Sequence, residues 1–313
     1  MLDNGITMQT IEAILNAGSG SAGKNEAASQ VVDLFKARGV DARVSLADTG
    51  EELLRLAQRA ARSDCAIVVA GGGDGTISAV AGELAETQKT LGVLPMGTLN
   101  HFAKDLHIPT DLEAAIDVIV GGRTIDIDAG EVNGRLFINN SSLGIYPDVV
   151  RGRERRQRLG YGKWHSLIRS AWTVFRRYPL LGVRLTANGR ELATRTPFVF
   201  VGNNDYEIES FNIGARERLD EAHLSVYMTR RTGRLALLRI ALRGLIGGLS
   251  QEKDFLSVET AEITIETRRR QIRVAIDGEV QMMKTPIRYR IRPRSIRVIV
   301  PEDYGQKAQD TAK

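Results

Sequence analysis

The hydrophobic pattern divides the chain into two textures. In the first third, short apolar runs alternate with stretches of helical period. Gln9 to Asn16 reads as a strand, and the helix after it places Ala28, Val31, Val32 and Phe35 on one face before ending near Arg38-Gly39. Ala42–Leu46 is a second strand. Glu51–Ala61 is a second helix with Leu53, Leu54, Leu56 and Ala57 inward. Cys65–Ala70 is a continuous apolar run that reads as a buried strand, followed by a helical pattern over Ile77–Leu84. Leu91–Pro95 is a fourth strand and Asp111–Val120 a further helix. Alternation at this spacing implies a mostly parallel sheet covered on both faces, with ligands bound beyond the strand C-termini.

From about Ile125 the pattern turns to strands. Candidates are Ile125–Asp128, Leu136–Ser142, Gly182–Ala187, Thr196–Gly202, His223–Thr229, Ala261–Thr267, Gln271–Ile276, Ile287–Ile291 and Ile296–Val300. Asn188-Gly189 is a hairpin signal, and Pro179 and a helix over Leu235–Leu249 interrupt the series. The expected fold is an α/β nucleotide-binding domain over 1–125 and a β-sandwich domain over 126–305. A polar tail, frayed from Pro301 on, ends the chain at 306–313.

Composition adds three bounds. No run approaches the roughly 20 apolar residues of a bilayer-spanning helix. Met1-Leu2-Asp3-Asn4-Gly5 lacks the basic-then-apolar layout of a signal peptide. The single cysteine, Cys65, excludes an intrachain disulfide and fits a reducing compartment. The net charge of +5 is unevenly spread: residues 151–177 hold eight Arg, one Lys and one Glu, so the remainder sums to −3.

The chemistry concentrates where the apolar run after Cys65 meets Gly71-Gly72-Gly73-Asp74-Gly75-Thr76. Glycines let backbone N–H groups approach a ligand, and a helix N-terminus, with Thr76 as its cap, favours phosphate. Asp74 repels phosphate unless a cation lies between them, which points to a nucleotide with Mg²⁺. The plainer alternative is a Gly-rich strand–helix turn. A second loop, Asn16 to Asn25, fits two incompatible templates: G-x-G-x-x-G on Gly18, Gly20 and Gly23, and G-x-x-x-x-G-K on Gly18, Gly23 and Lys24. Neither is specific, and only a phosphate-tolerant loop survives. A third loop opens at Met96-Gly97-Thr98-Leu99-Asn100.

With Gly72-Gly73-Asp74-Gly75-Thr76 followed by Gly97-Thr98-Leu99-Asn100, the chain resembles the diacylglycerol kinase catalytic-domain family, in its bacterial soluble branch, related to sphingosine kinases and NAD kinases. Asn16-Ala17-Gly18-Ser19-Gly20 looks like the family's N-P-x-S-G loop with Ala17 for Pro. Asp128 with Gly130 resembles its D-x-G, and Asp277-Gly278-Glu279 its D-G-E. The resemblance implies that ATP and substrate meet in a cleft between the two domains. It assigns Asn16, Ser19, Gly20, Thr49, Gly72–Thr76, Gly97, Thr98 and Asn100 to ATP. Asp74 and Asp128 go to a Mg²⁺–water network, and Asp277, Glu279 and Asp74 to catalysis. The family's second-domain Mg²⁺ stretch, D-D-G, is Asp220-Glu221-Ala222 here. Where the family has Asp after its G-T-x-N, this chain has His101. Asp105, four residues on and on the same helical face, or the imidazole itself, partly replaces that carboxylate; the alternative is a surface His–Asp pair with no catalytic role.

His101, His107, His165 and His223 form no spaced Cys/His set, so no zinc site is expected. Nor is nucleic acid an expected partner, since no recognition module accompanies Arg151–Arg158. Trp164, Leu167, Ile168, Ala171, Trp172 and Phe175 share a helical face flanked by Arg169, Arg176 and Arg177. Such a stripe is either core or an interfacial membrane helix. Ile287–Arg292 alternates to give a basic strand face. The expectation is an ATP- and Mg²⁺-dependent lipid kinase acting on a diacylglycerol-like lipid or long-chain alcohol. It would be cytoplasmic, peripherally bound through 151–177 to the anionic inner face of the membrane, and compatible with a homodimer. The alternatives are an NAD kinase-type enzyme and a lipid-binding protein of the same fold with little turnover.

Overall fold

A computed structural model describes residues 10–16, 21–144, 180–206, 208–209, 212–213, 216, 218–229 and 255–305. Two compact units emerge. One runs to Ile127 and takes back the chain from Arg294 on; the other is Asp128–Pro293. The expected boundary is thus close at Ile127, but the C-terminal stretch belongs to the first unit rather than the second.

In the first unit the elements run β1 (Thr10–Leu15), α1 (Ser21–Ala37), β2 (Asp41–Leu46), α2 (Gly50–Ala61), β3 (Ile67–Gly72), α3 (Asp74–Leu84), β4 (Thr90–Pro95), α4 (His101–Asp105) and α5 (Leu112–Gly121). The four strands pair in parallel in the order β2-β1-β3-β4. Helices α1 and α5 contact each other, as do α2 and α3. Ala13, Ile14, Val68, Val69, Val93, Ile77 and Val80 are fully buried, as both-face coverage requires. Leu54, expected inward, is 42% exposed. It lies beside Leu53 and off the face of Leu53, Ala57 and Ala60, which the three-to-four-residue period alone selects.

The chain enters the second unit along β5 (Arg123–Val132). There follow β6 (Arg135–Phe137), β7 (Asn140–Gly144), β8 (Leu181–Ala187), β9 (Arg190–Thr196), β10 (Phe198–Asn203), β11 (Ile208–Glu209), β12 (Asn212–Ile213), β13 (Leu224–Thr229), β14 (Phe255–Thr260), β15 (Glu262–Thr267), β16 (Gln271–Ile276) and β17 (Glu279–Lys284). It leaves along β18 (Ile287–Val300). One sheet has the order β14-β13-β10-β7-β16-β17; facing it are β8, β9, β15 and the first half of β18. Val199, Val201, Val226, Ile265, Val274 and Ile287 fill the shared core. This is the expected β-sandwich.

Two differences are instructive. The single strand expected over Leu136–Ser142 is broken at Ile138-Asn139, where the backbone N–H groups turn to a side chain instead of a neighbouring strand. Conversely, the two strands expected over Ile287–Ile291 and Ile296–Val300 are one, running through Pro293. Its last residues pair in parallel with β4. Residues 301–305 are not frayed: the Tyr304 carbonyl accepts from Arg123 (2.6 Å) and its ring meets His107. The basic segment 151–177, the helix over Leu235–Leu249 and the tail 306–313 lie outside the described residues.

Candidate active site

The Gly-rich stretch is more strand than loop. Gly71 and Gly72 still pair with β4, so only Gly73 separates β3 from α3. Gly73 is the N-cap; Thr76, expected to cap, sits inside the first turn with its N–H bonded to the Gly73 carbonyl (2.9 Å). Its hydroxyl instead accepts from the Asn16 side chain (3.1 Å), while the Asn16 N–H reaches Gly71 O (2.8 Å). Asn16, Gly73 and Gly97 therefore stand at the C-terminal ends of three adjacent parallel strands. Two glycines are dictated by space: a Cβ on Gly72 would lie 2.7 Å from Thr76, and one on Gly97 2.5 Å from the Gly73 backbone. The two loops touch main chain to main chain, leaving room for a ligand to approach backbone rather than side chains.

Asp74 opens α3, and its two carboxylate oxygens accept the backbone N–H groups of His101 (3.2 Å) and Phe102 (3.0 Å). It caps the short helix α4 from outside and joins the Gly73 and Gly97 loops. A carboxylate has about four acceptor positions, so two bonds leave capacity for a hydrated cation. Asn100 closes its own loop: in a left-handed conformation (φ 49°), it accepts from Gly97 N–H (3.0 Å) and donates to Gly97 O (2.9 Å) and Pro95 O (3.3 Å). Thr98 is exposed. Thr49 caps α2, accepting from Glu52 N–H (3.1 Å). Asp105 is buried and His101 exposed. Ser19 and Gly20 lie outside the described residues.

In the second unit, Asp277-Gly278 is the two-residue turn between β16 and β17, with φ of 44° and 88° and Ile276 paired to Glu279. The segment is therefore not extended, and Asp277 and Glu279 do not share a strand face. Instead the Asp277 carboxylate accepts three N–H groups, from Ile138, Asn139 and Asn140, each at 2.9 Å. The same segment is held from its carbonyl side by buried Arg216, which donates to Ile138 O (2.6 Å) and the Asn139 side chain (2.8 Å), and by Asn203 (3.0 Å). Nothing in the sequence pattern marks Arg216, since an isolated Arg reads as surface. Glu279 is exposed.

Asp128 is fully buried on β5 and accepts the Ala222 N–H (2.7 Å). Ala222 is left-handed (φ 59°), the conformation that Gly supplies in D-D-G. Arg218 occupies Asp220 with two nitrogens at 3.0 Å, whereas Glu221 gathers with Asp205 and His223. Burial disfavours a charged His223 ring, but the Asp205 hydrogen bond and the two carboxylates outweigh it and raise its pKa.

Comparison with known proteins agrees with this geometry. Residues 10–132 match the diacylglycerol kinase catalytic domain, and residues 152–300 match the YegS C-terminal NAD kinase beta sandwich-like domain. A diacylglycerol kinase of Staphylococcus epidermidis is 39% identical over 130 residues, a match covering 37% of this chain and 41% of that protein. One from Staphylococcus aureus is 25% identical over 284 residues, covering 87% and 89%. A crystal structure of a diacylglycerol kinase from Bacillus anthracis superposes with TM-score 0.68 at 20% identity, over 95% of this chain and 99% of that one, and shows the shared fold. The chain thus carries a diacylglycerol kinase catalytic domain followed by a YegS C-terminal NAD kinase beta sandwich-like domain.

Proposed function

We propose that this kinase-family chain is an ATP-dependent lipid kinase that transfers the γ-phosphoryl group to the hydroxyl of a diacylglycerol-like lipid or long-chain alcohol. The observation that carries the reading is the backbone meeting of Gly73 and Gly97 at the C-terminal ends of β3 and β4. Asn16 and Thr76 stand beside it, and Asp74 is fixed at the head of α3. Exposed N–H groups and a helix N-terminus suit phosphates, and Asp74 suits a Mg²⁺ held through its remaining acceptor positions. That cation would neutralise charge on the transferring group. The hydroxyl proton needs an acceptor, and Asp277 or Glu279 supplies it. Buried Asp128 serves by fixing the Ala222 backbone.

The basic stretch 151–177 is proposed to bring the enzyme to an anionic membrane surface. The described residues contain no helix long and apolar enough to cross a membrane. Replacing Arg153, Arg155, Arg156 and Arg158 with Gln should weaken vesicle binding in a salt-sensitive way, at about 1 kcal/mol per basic residue near the surface. Vesicle binding indifferent to salt and to these changes would remove the membrane role.

Transfer of labelled phosphate from ATP to a panel of lipids in mixed micelles, with NAD as the soluble comparator, tests the whole reading. Lipid product is expected. Product on NAD alone would overturn it, and ATP binding without transfer to any acceptor would make the chain a lipid-binding relative.

A further inference from the structure

The second unit leaves one sheet edge open. β9 is the last strand on its side, and among the described residues β8 is its one partner. Their register runs unbroken from Ala187↔Arg190 to Leu181↔Thr196. Asn188-Gly189, with φ of 50° and 70°, forms a type I′ turn, in which the flanking pair Ala187↔Arg190 is hydrogen-bonded. Alternation then turns the N–H and C=O groups of Arg190, Leu192, Thr194 and Thr196 toward β8, and those of Glu191, Ala193 and Arg195 outward. Proteins commonly blunt such an edge with Pro, Lys or a bulge, and β9 has none of these.

We propose that β9 pairs antiparallel with β9 of a second copy of this chain, about a two-fold axis at Ala193. The axis stands normal to the sheet, so opposed residues share a face and each contact occurs twice. In this register Ala193 meets the partner's Ala193, and Glu191 meets the partner's Arg195 on either side of the axis. The residues so opposed are the ones whose N–H and C=O groups turn outward, so every pair exchanges both backbone bonds. The small Ala193 sits at the axis, and opposite charges flank it. Centring the axis on Glu191 or on Arg195 would instead set like charges against each other. Neither side chain is ion-paired among the described residues, whereas Glu131 already holds Arg290 and Arg292 on the neighbouring strand face. The other face of β9 supplies a second observation. Leu192 is paired with buried Leu185 on the core side of the sheet, yet it is 39% exposed because no strand lies beyond it. A partner strand would set it opposite Thr194 and diagonal to the partner's Leu192, covering both apolar side chains.

The test reads association, not turnover, and so stands apart from the kinase reading. Sedimentation equilibrium of the full chain over a dilution series should show a monomer–dimer equilibrium. Arg195→Glu sets glutamate against Glu191, and Glu191→Arg sets arginine against Arg195. Each should weaken the dimer at least about 10-fold, because two opposed pairs turn from attraction to repulsion. Both side chains are exposed, so both variants should fold. Mixing the two variants restores opposite charges at both pairs, and a heterodimer of near-native affinity should form. Ala193→Pro removes an outward N–H without touching the bonds to β8, and should also give monomers. A native chain still monomeric at about 100 μM, a dimer indifferent to both charge variants, or no recovery on mixing them would each overturn the proposal.

Discussion

Asp74 and Asp277 are the same residue type in two glycine-flanked turns, and both receive backbone N–H groups from a distant segment. They differ in how much of the carboxylate the fold consumes. Asp74 accepts two bonds, one on each oxygen, from the start of α4. Asp277 accepts three, two on Oδ1 and one on Oδ2, from a segment that breaks what would otherwise be a single strand. Asp74 has acceptor positions to spare for a ligand, while Asp277 is the keystone of the 138–140 turn. A motif aspartate can thus be required by the fold, by the chemistry or by both, and the two sites weight these differently.

The largest effect is expected at Asp277. Asn keeps one acceptor oxygen but turns an NH₂ toward a donor, so at least one charge-assisted bond is lost and one N–H is left facing a donor. At about 1.5–3 kcal/mol for a hydrogen bond to a charged group, Asp277→Asn should cost about 3 kcal/mol, read from urea or thermal unfolding. Reduced turnover in that variant therefore does not identify the base. Glu279→Gln is the sharper probe. Its side chain is exposed, so stability should move by less than about 0.5 kcal/mol. If Glu279 is the proton acceptor, kcat should fall by about 100-fold or more. Normal turnover in Glu279→Gln, with folded Asp277→Asn inactive, would assign the role to Asp277.

Asp74→Asn comes next in stability and inverts the ratio. One of two bonds survives in full, so unfolding should move by about 1–2 kcal/mol. If Asp74 anchors a cation at the reacting phosphate, transfer should fall by at least about 100-fold. Activity within a few-fold of the native chain would make Asp74 only a cap for α4, and the comparison with Asp277 would collapse into two structural clamps.

These contrasts also mark what the sequence could reveal. The strand–helix alternation and the switch to strands near Ile125 were legible because burial imposes period on long segments. What period cannot report is where a polar side chain spends its hydrogen bonds. Gly71 and Gly72 read as loop because they are glycines, yet they finish β3. Thr76 reads as a cap, yet it faces Asn16. Asp277-Gly278 reads equally as turn and as catalytic motif, and only the partners at 138–140 separate the two contributions. Asp205, Glu221 and His223 are scattered in sequence and meet only through the β10–β13 register.

The smallest expected effect tests the neighbouring departure from the family pattern. Ala222 holds a left-handed backbone (φ 59°), where a Cβ is strained, and its N–H is pinned by buried Asp128 (2.7 Å). The conformation is therefore imposed by a buried carboxylate that needs that donor, not chosen by the residue. Ala222→Gly relieves a strain on the order of 1 kcal/mol but adds chain entropy to the unfolded state, which returns about half or more of it. A net gain of a few tenths of a kcal/mol, and a small rise in melting temperature, is expected with kinase activity unchanged. A loss of more than about 1 kcal/mol would mean that the Ala222 methyl group is packed, and that this stretch has been rebuilt around alanine rather than strained by it.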